Sequence, residues 1–303
     1  MKVLKVCSGN NGLSPFVKEQ ALSLRKEGLI VDIYQIKGNG VLGYLKNFGA
    51  YKKMLNAKDY DIVHAHYGLS GLLANLQRKI PVVTTFHGSD THYPFIRKLS
   101  IVTTWLSKFS IITNDRQFEL LKLRKNTELI PCGVDTGLFV EMDKMDCRKS
   151  IGLAEDAKIV LFGSSFERKV KNVELAKTAI EKLNNVQLVE LKGYDRKEVA
   201  QLINASDIVL VTSFNETGPL IIKEALACNT PVISTDVGDV KSILGSEYQH
   251  LITSYDSNEL AKKINELMDQ KRPSYREMVL PYDLKLTAKK IKSVYNKLYE
   301  DTN

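Results

Sequence analysis

Short apolar runs rich in β-branched residues alternate with longer amphipathic segments over the first half of the chain. The spacing predicts buried parallel strands at 3–7, 31–36, 62–65, 82–86, 111–113 and 129–130. Between them, apolar positions recur at helical intervals over 15–27, 42–55, 69–79, 95–109 and 116–125. Strands and helices in regular alternation predict an α/β fold with a doubly wound parallel sheet.

The same alternation restarts after a polar stretch at 135–150. The second series predicts strands at 159–162, 186–191, 208–211, 232–234 and 250–252, and helices near 172–183, 196–204, 219–228 and 257–270. We therefore expect two Rossmann-like domains, 1–145 and 146–283. In the last segment, 284–300, apolar residues recur at steps of four and three, which predicts a helix with one apolar stripe that Asp283 can cap.

Composition and charge narrow the class of protein. The 303 residues are 44% hydrophobic and 26% charged, as in ordinary globular proteins. The net charge of +8 arises entirely from 1–145, which holds 20 basic and 12 acidic residues, whereas 146–303 holds 23 of each. This distribution indicates two units with different partners, and we expect no nucleic acid among them.

Cysteine usage and hydropathy predict the compartment. The four cysteines lie far apart with no CxxC pair, which argues against a zinc site or a disulfide framework and fits a reducing compartment. The first residues lack the apolar segment of a signal peptide, and no run of eighteen apolar residues occurs. We expect a cytoplasmic protein.

Polar loops at predicted strand ends are the candidate ligand sites, because open parallel sheets bind ligands beyond the carboxyl ends of their strands. The first such loop, SGNNGLS at 8–14, contains Gly12 and can let an anion approach backbone N–H groups, although it also suits a tight turn. After the fourth strand, His87 is followed by Asp90, and this histidine can carry a proton or bond a substrate, or be satisfied by neighbouring backbone.

Two histidines at the end of the third predicted strand raise the question of a metal. His64 and His66 lie on one face of an extended segment. A metal site needs a third ligand, and no carboxylate stands close in sequence to supply one. We expect no metal.

The richest loop follows the predicted strand 208–211 and reads TSFNETGPLIIKEA from 212 to 225. Pro219 suits the first turn of a helix, where unpaired N–H groups attract anions. Glu216 precedes this helix and Glu224 lies within it, so both can face one crevice. Carboxylates accept hydrogen bonds from hydroxyls, and N–H groups donate to phosphate. A site with both therefore suits a nucleotide sugar, which has hydroxyls and phosphates. The alternatives are a favourable helix-terminal charge at Glu216 and a solvated helix face at Glu224.

A cationic loop lies in the same half of the chain. Arg168, Lys169 and Lys171 follow the predicted strand 159–162 at the entry to a helix. Such clusters are often solvated, but at a strand end they can neutralise a diphosphate.

Taken together, these residues resemble the retaining glycosyltransferases of family 4, which have the GT-B fold. Glu216 and Glu224 form the Glu-x7-Glu pair of that family within NETGPLIIKEALACNTPVISTDVGD. Matches in the family's order are YDIVHAHYG at 60–68, VTTFHGSD at 83–90, LIPCGVDTGLF at 129–139 and NASDIVLVTS at 204–213. The resemblance covers nearly the whole chain.

The resemblance implies two Rossmann-like domains facing a central cleft, and retaining transfer of a sugar from a nucleoside-diphosphate donor to an acceptor hydroxyl, with no cofactor and no bound metal. It places Glu216 and His87 at the transferred sugar and Glu224 on the ribose. It assigns the remaining donor contacts to Gly12, Lys171, Tyr194, Gly218, Pro219 and Leu220. Front-face attack fits retention, and a covalent intermediate on Glu216 is the alternative. It also implies that helix 284–300 packs back on the first domain.

One position of this chain departs from the family's pattern. The family commonly has an arginine six residues before the phosphate lysine, where this chain has Ser165, so Arg168 or Lys169 substitutes or the diphosphate is held more weakly. Other functions that suit the motifs are a sugar-nucleotide epimerase of the same architecture and a non-catalytic nucleotide-sugar-binding protein.

The excess of basic residues in the first half of the chain bears on the kind of acceptor that the protein uses. Its run of seven cations between 97 and 125 is either a solvated face or a surface that draws the protein to anionic lipid at the inner membrane face. On the second interpretation the acceptor is a lipid-linked or surface glycan. The cations are Arg97, Lys98, Lys108, Arg116, Lys122, Arg124 and Lys125.

Overall fold

The computed structural model describes residues 1–10, 12–123, 126–268, 270 and 273–300, apart from the side chains of Ser89 and His92. The chain forms two compact units, Met1–Gly133 with Leu284–Asn303, and Val134–Asp283. The boundary therefore lies before 134, not at the expected 145. Residues 134–145 belong to the second unit because Val134 and Phe139 are buried in its core and Arg276 donates to the Phe139 carbonyl at 2.7 Å.

The first unit is a six-stranded, all-parallel sheet in the order β2-β1-β3-β4-β5-β6. Its strands are β1 (Lys2–Ser8), β2 (Ile30–Ile36), β3 (Ile62–His66), β4 (Val82–Phe86), β5 (Phe109–Ile112) and β6 (Thr127–Leu129). Its helices are α1 (Pro15–Lys26), α2 (Gly40–Leu45), α3 (Phe48–Ala57), α4 (Gly68–Ala74), α5 (Ser89–His92), α6 (Pro94–Leu106) and α7 (Gln117–Leu120), together with the last helix of the chain.

Local chemistry explains where this unit departs from the expected helices. The predicted helix 42–55 is two helices, α2 and α3, because the Asn47 side chain between them bonds the Gly43 and Lys37 carbonyls, each at 2.8 Å. The predicted helix 116–125 is described only as the short α7, which ends before Lys122, a residue with a left-handed φ of 50°. Residues 124 and 125 lie outside the described residues.

The second unit is a five-stranded parallel sheet in the order β11-β10-β9-β7-β8. Its strands are β7 (Lys158–Phe162), β8 (Val186–Glu190), β9 (Ile208–Val211), β10 (Val232–Thr235) and β11 (Ile252–Thr253). Its helices are α8 (Lys144–Ile151), α9 (Val173–Ile180), α10 (Arg196–Ala205), α11 (Leu220–Ala227), α12 (Val240–Leu244) and α13 (Ser257–Met268), with 3-10 turns at Lys169–Lys171, Gln249–Leu251 and Arg276–Tyr282.

The last helix, α14 (Leu284–Glu300), packs in the first unit. Its apolar stripe, with Ala288, Ile291 and Val294, lies in one buried cluster with Ala21 and Leu24 of α1. Asp283, expected as its cap, accepts a hydrogen bond from Thr136 Oγ1 at 2.5 Å in the second unit.

Both sheets confirm the expected fold class, since each unit is a doubly wound parallel α/β sheet. Within the described part of the chain, no helix combines the length and the apolar character that crossing a membrane requires. In each unit the chain proceeds to one side of its first strand and then returns to the other side. This switch falls between β1 and β3 in the first unit and between β7 and β9 in the second. Ligands of doubly wound sheets bind beyond such a switch point.

Candidate active site

The loops that follow β7 and β9 meet at the switch point of the second unit. Lys171 ends the 3-10 turn after β7, and its Nζ forms an ion pair with Glu216 Oε1 of the loop after β9. Ser213 Oγ donates to the same carboxylate oxygen at 2.7 Å. Both charged side chains are mostly buried, at 13% and 15% exposure, so the pair is held in a restricted geometry.

The backbone joins these two loops as well. Thr212 Oγ1 donates to the carbonyl of Lys171 at 3.0 Å and to that of Asn172 at 2.8 Å. Asn172 has a left-handed backbone, with φ at 52°, which lets the turn end and α9 begin at the next residue. The sequence predicted both loops at strand ends, and the structure brings Lys171 and Glu216 into direct contact.

Helix α11 presents its N-terminus to the same loop. Pro219 occupies the N-cap, one position earlier than the sequence predicted, and the helix begins at Leu220. Proline has no side-chain acceptor, so the side chain of the N-cap satisfies none of the first-turn N–H donors. Together with the helix dipole, these donors favour an anion beyond Gly218.

The loop that precedes α11 packs closely against the loop that follows β10. Gly238, with φ at 59°, packs so tightly that a Cβ there would lie 2.6 Å from the Thr217 carbonyl oxygen. Asp239 lies beside Gly218 and forms a buried ion pair with Lys223 Nζ at 3.1 Å. Gly238 and Asp239 were not among the predicted site residues, although a Gly-Asp pair after a predicted strand was a signal for them.

Glu224 is buried at 4% exposure, so the solvated helix face considered for it is wrong. Its Oε1 lies 2.7 Å from Nη2 of Arg196, which begins α10. The Arg196 guanidinium also lies over the Phe139 ring, 4.7 Å from its centroid. Arg196 was missed, although it follows β8 in the loop KGYDR beside the predicted Tyr194.

The remaining predicted residues of the second unit are more exposed. Tyr194 is 39% exposed and follows Gly193, which has φ at 84°. Arg168 and Lys169 are exposed on the loop after β7. Ser165, at the position of the family's arginine, is half-buried and accepts from the Glu167 N–H at 3.3 Å.

In the first unit, His87 lies at the carboxyl end of β4 in a row of aromatic side chains. Its ring lies edge to edge with that of His66, with centroids 5.2 Å apart, and contacts the rings of Phe16 at 4.7 Å and Tyr67 at 4.8 Å. Burial first, and then the charge of Lys5, lower the pKa of His87 to about 3, so the imidazole is neutral at ordinary pH.

Asp90 acts on the backbone around His87. It accepts from the Gly68 N–H at 2.6 Å and from the His87 N–H at 2.7 Å. Burial raises the pKa of Asp90 to about 6 against the opposing effect of these N–H donors. Asp90 therefore holds the loop that presents His87.

His64 and His66 have their ring nitrogens in hydrogen bonds to protein groups. His64 lies 2.5 Å from Tyr295 Oη and 2.7 Å from Thr85 Oγ1, and His66 lies 2.9 Å from His87. Among the described residues, no group of three or more His, Cys, Asp or Glu side chains is placed to hold a metal ion.

Gly12, the remaining predicted donor residue, belongs to the first unit. It has φ at 77° and lines a cavity of about 510 Å³ with Tyr44, Tyr67 and Asp90. The structure therefore separates the predicted residues into a group in the second unit and a pair, Gly12 and His87, in the first.

The two parallel-sheet units match the GT-B fold class, and comparison with known proteins supplies the family. Residues 145–280 match the glycosyl transferases group 1 family, and residues 17–138 match Glycosyltransferase Family 4. Together the two matches support a family 4-type glycosyltransferase, which confirms the resemblance inferred from its motifs.

Curated relatives carry glycosyltransferase names. A putative teichuronic acid biosynthesis glycosyltransferase, TuaC of Bacillus subtilis, is 27% identical over 67% of this chain and 60% of the relative. The N-acetyl-alpha-D-glucosaminyl L-malate synthase of Bacillus anthracis is 29% identical over 65% of this chain and 61% of the relative. The chain thus spans about three fifths of the length of these relatives.

Solved structures with the same fold include sucrose-phosphate synthase from Thermosynechococcus elongatus, with a TM-score of 0.86 and 18% identity over 99% of this chain and 100% of that one. HepE of Anabaena, solved with UDP and glucose, has a TM-score of 0.80 and 16% identity over 98% of this chain and 100% of that one. At these sequence identities, the structural similarity shows the fold alone.

Proposed function

We propose that this chain transfers a sugar from a nucleoside-diphosphate sugar to an acceptor hydroxyl, with retention at the anomeric carbon, in the synthesis of a surface glycan or glycolipid. The observation that carries the proposal is the Lys171–Glu216 ion pair beside the N-terminus of α11. The two family matches support it, as do the names of TuaC and the malate synthase and the UDP-glucose bound by HepE. None of these favours an epimerase or a binding protein without activity.

The reaction makes specific demands on these residues. The bond from the anomeric carbon to the diphosphate breaks, the acceptor oxygen bonds to the same face, and the acceptor proton passes to the leaving phosphate oxygen. Negative charge develops on that phosphate, and preorganised donors there lower the barrier. In this proposal, Lys171 and the first N–H groups of α11, beyond Gly218 and Pro219, supply them.

The other assignments are those that the family resemblance implies. Glu216 accepts hydrogen bonds from the donor-sugar hydroxyls, and the Gly218–Leu220 backbone cradles the sugar and phosphate. Glu224, oriented by Arg196, binds the ribose, and Tyr194 lies near the base. In the first unit, Gly12 gives the donor backbone access and His87 acts at the transferred sugar. No metal and no cofactor takes part, because Lys171 and the helix N-terminus carry the diphosphate charge.

Matched variants of the two carboxylates test this proposal. Glu224→Ala removes a charged partner of the ribose, which donor and product share. It should weaken nucleoside diphosphate binding roughly 10- to 100-fold, from about 1.5–3 kcal/mol. Glu216→Ala removes a partner of the sugar alone, so it should lower turnover and leave that affinity within about twofold. Glu167→Ala, an exposed carboxylate paired with Lys192, is the control.

Calorimetry with nucleoside diphosphates and transfer assays with labelled nucleotide sugars measure these effects. Equal loss of diphosphate affinity in the Glu216 and Glu224 variants would contradict the division of roles. Epimer formed without acceptor would favour an epimerase, and binding without either product would favour a binding protein. A trapped glycosyl adduct on Glu216 would replace front-face attack by a covalent intermediate.

For the acceptor side, we propose peripheral contact with an anionic membrane at its cytoplasmic face and a lipid-linked or surface-glycan acceptor. Helix α6 carries an exposed stripe of Phe95, Lys98, Val102 and Trp105 at helical spacing. Its opposite face, with Thr103, packs on α4. Aromatic and cationic groups on one face suit an interfacial helix. Arg124 and Lys125 of the expected basic run lie outside the described residues.

Vesicle binding tests the membrane contact. Anionic vesicles should bind the protein more strongly than neutral ones, and high salt should weaken that binding. Lys98→Gln should weaken binding about fivefold, from roughly 1 kcal/mol, and Trp105→Ala should also weaken it. Ile30→Ala, an exposed apolar side chain at the start of β2, is the control. Equal and negligible binding to anionic and neutral vesicles would contradict the membrane contact and favour a soluble acceptor.

A further inference from the structure

A lysine lies fully buried in the middle of β1. The Lys5 side chain has 0% exposure, although a central parallel strand is normally apolar and a buried ammonium is costly. Its Nζ donates to Gln20 Oε1 of α1 and lies 3.2 Å from His66 Nε2 of β3. Nothing in the proposed transfer reaction uses this amine.

The contact with His66 continues to His87. His66 Nδ1 lies 2.9 Å from His87 Nε2, and the two ring planes are inclined by only 20°, so the hydrogen bond can lie in the plane of both rings. On its other side, His87 Nδ1 lies 3.7 Å from Cys132 Sγ. A continuous hydrogen-bonded path therefore connects a buried amine to the histidine that the motif FHGSD places at the strand end.

The charge of Lys5 fixes the direction of every hydrogen bond in this path. An ammonium only donates, so His66 Nε2 must accept, and the His66 proton lies on Nδ1. That proton is donated to His87 Nε2, so a neutral His87 carries its own proton on Nδ1. A neutral amine can accept instead, and the whole path then reverses, with the His87 proton on Nε2 and Nδ1 left as an acceptor.

We propose that Lys5 is a positioning residue which, through His66, sets the ring nitrogen of His87 that carries the proton. In the switch, a proton passes from Lys5 Nζ to His66 Nε2 while the His66 Nδ1 proton passes to His87 Nε2. His87 then loses its Nδ1 proton to solvent. The net change is the loss of one proton from the ammonium, with both imidazoles neutral before and after.

Several charged or titratable groups surround Lys5. Cys7 lies on the same strand, Arg25 on α1, His64 and His66 on β3, and Cys132 after β6. Burial is the largest influence on the pKa of Lys5, Cys7 and Cys132 oppose it and Arg25 adds to it, and together they lower this pKa to about 7. The Lys5 amine therefore changes charge near neutral pH.

His64 is stacked on His66 with centroids 4.6 Å apart, but it stands outside the path. Its nitrogens bond Tyr295 and Thr85, so its state does not depend on a shared proton with His66. Tyr295→Phe is thus a matched control, because it changes a buried polar contact in the same row of rings and leaves the path from Lys5 to His87 in place.

Nuclear magnetic resonance of protein with ¹⁵N-labelled histidine and lysine tests the proposal. In the unaltered protein, His87 should exchange an Nδ1-protonated ring for an Nε2-protonated ring as the pH rises from 6 to 8.5, with the midpoint of the Lys5 amine. In Lys5→Met, His87 should keep one tautomer throughout. In His66→Phe, Lys5 should still titrate without a response at His87, and Tyr295→Phe should behave as the unaltered protein.

Three results would overturn the proposal. They are the same pH-dependent exchange in Lys5→Met, an exchange that persists in His66→Phe, and a Lys5 amine that does not titrate in this range. Circular dichroism establishes that each variant is folded, and the two variants break the path at different links. The effect of the switch on transfer rests on the proposed function, but the imidazole signals do not, so failure of the transfer assay and failure of the relay are distinguishable.

Discussion

Replacing Lys5 by methionine should stabilise the first unit, by an amount that depends on pH. Burial lowers the pKa of this amine from 10.5 to about 7. At about 1.4 kcal/mol per pH unit, the difference corresponds to roughly 5 kcal/mol by which the unfolded chain holds the proton more favourably. Methionine has a similar length and no charge, so this cost disappears in the variant.

The sign of the pH dependence follows from the direction of the pKa change. Below pH 7 the amine is charged in both states and the full cost of burying it is present. Between pH 7 and 10.5 the unfolded state binds more protons, so the stability of the unaltered protein rises with pH. The advantage of Lys5→Met should therefore shrink by about 2 kcal/mol between pH 7 and pH 9.

A second contribution acts in the opposite direction but does not vary with pH in this range. Methionine leaves the Gln20 carbonyl and His66 Nε2 without the lysine donor, which costs about 1–3 kcal/mol. The net gain at pH 7 should therefore be roughly 2–4 kcal/mol. The change of this gain with pH is the more informative quantity, because it isolates the titration of Lys5.

Urea unfolding at pH 7, 8 and 9 measures this quantity. The single tryptophan, Trp105, lies on α6, so its fluorescence reports on the first unit. Lys98→Met, which removes an exposed lysine from the same helix, should show a stability difference that is constant with pH. A constant or growing difference between Lys5→Met and the unaltered protein would refute the reasoning.

Three further predictions concern packing and chemistry. Gly238→Ala should cost about 1–3 kcal/mol in thermal unfolding and weaken nucleoside diphosphate binding, because its Cβ would meet the Thr217 carbonyl at a left-handed φ of 59°; unchanged melting and binding would contradict this. Gly71→Ala should cost about 1–3 kcal/mol, since a Cβ would lie 2.5 Å from Thr103 Cγ2 where α4 packs on α6; wild-type stability would mean that α6 shifts at little cost. Transferase activity should survive EDTA; loss on chelation, restored by magnesium or manganese, would overturn the metal-free assignment.

The loops of the candidate site were accessible to sequence reasoning because their signals are local. Pro219 after a run of small and polar residues indicates a helix start, and the structure begins α11 one residue later. Glu216 and Lys171 each follow a recognisable strand. The ion pair of Glu224 with Arg196 could not be predicted from local signals. Arg196 follows a different strand, and only the order of strands in the sheet brings the two side chains together.

What the sequence by itself determined is the alternation of strands and helices, the two Rossmann-like halves, the loops that carry polar residues and the family. These features depend on periodicity and on turn chemistry within a few residues, which a single chain displays directly. Only the tertiary structure decided the Lys171–Glu216 ion pair, the unit boundary before 134 and the buried path from Lys5 through His66 to His87. The physical reason is that strand order and burial decide which residues far apart in the chain come into contact. A lysine within an apolar run of the sequence does not reveal whether its amine contacts water or a histidine.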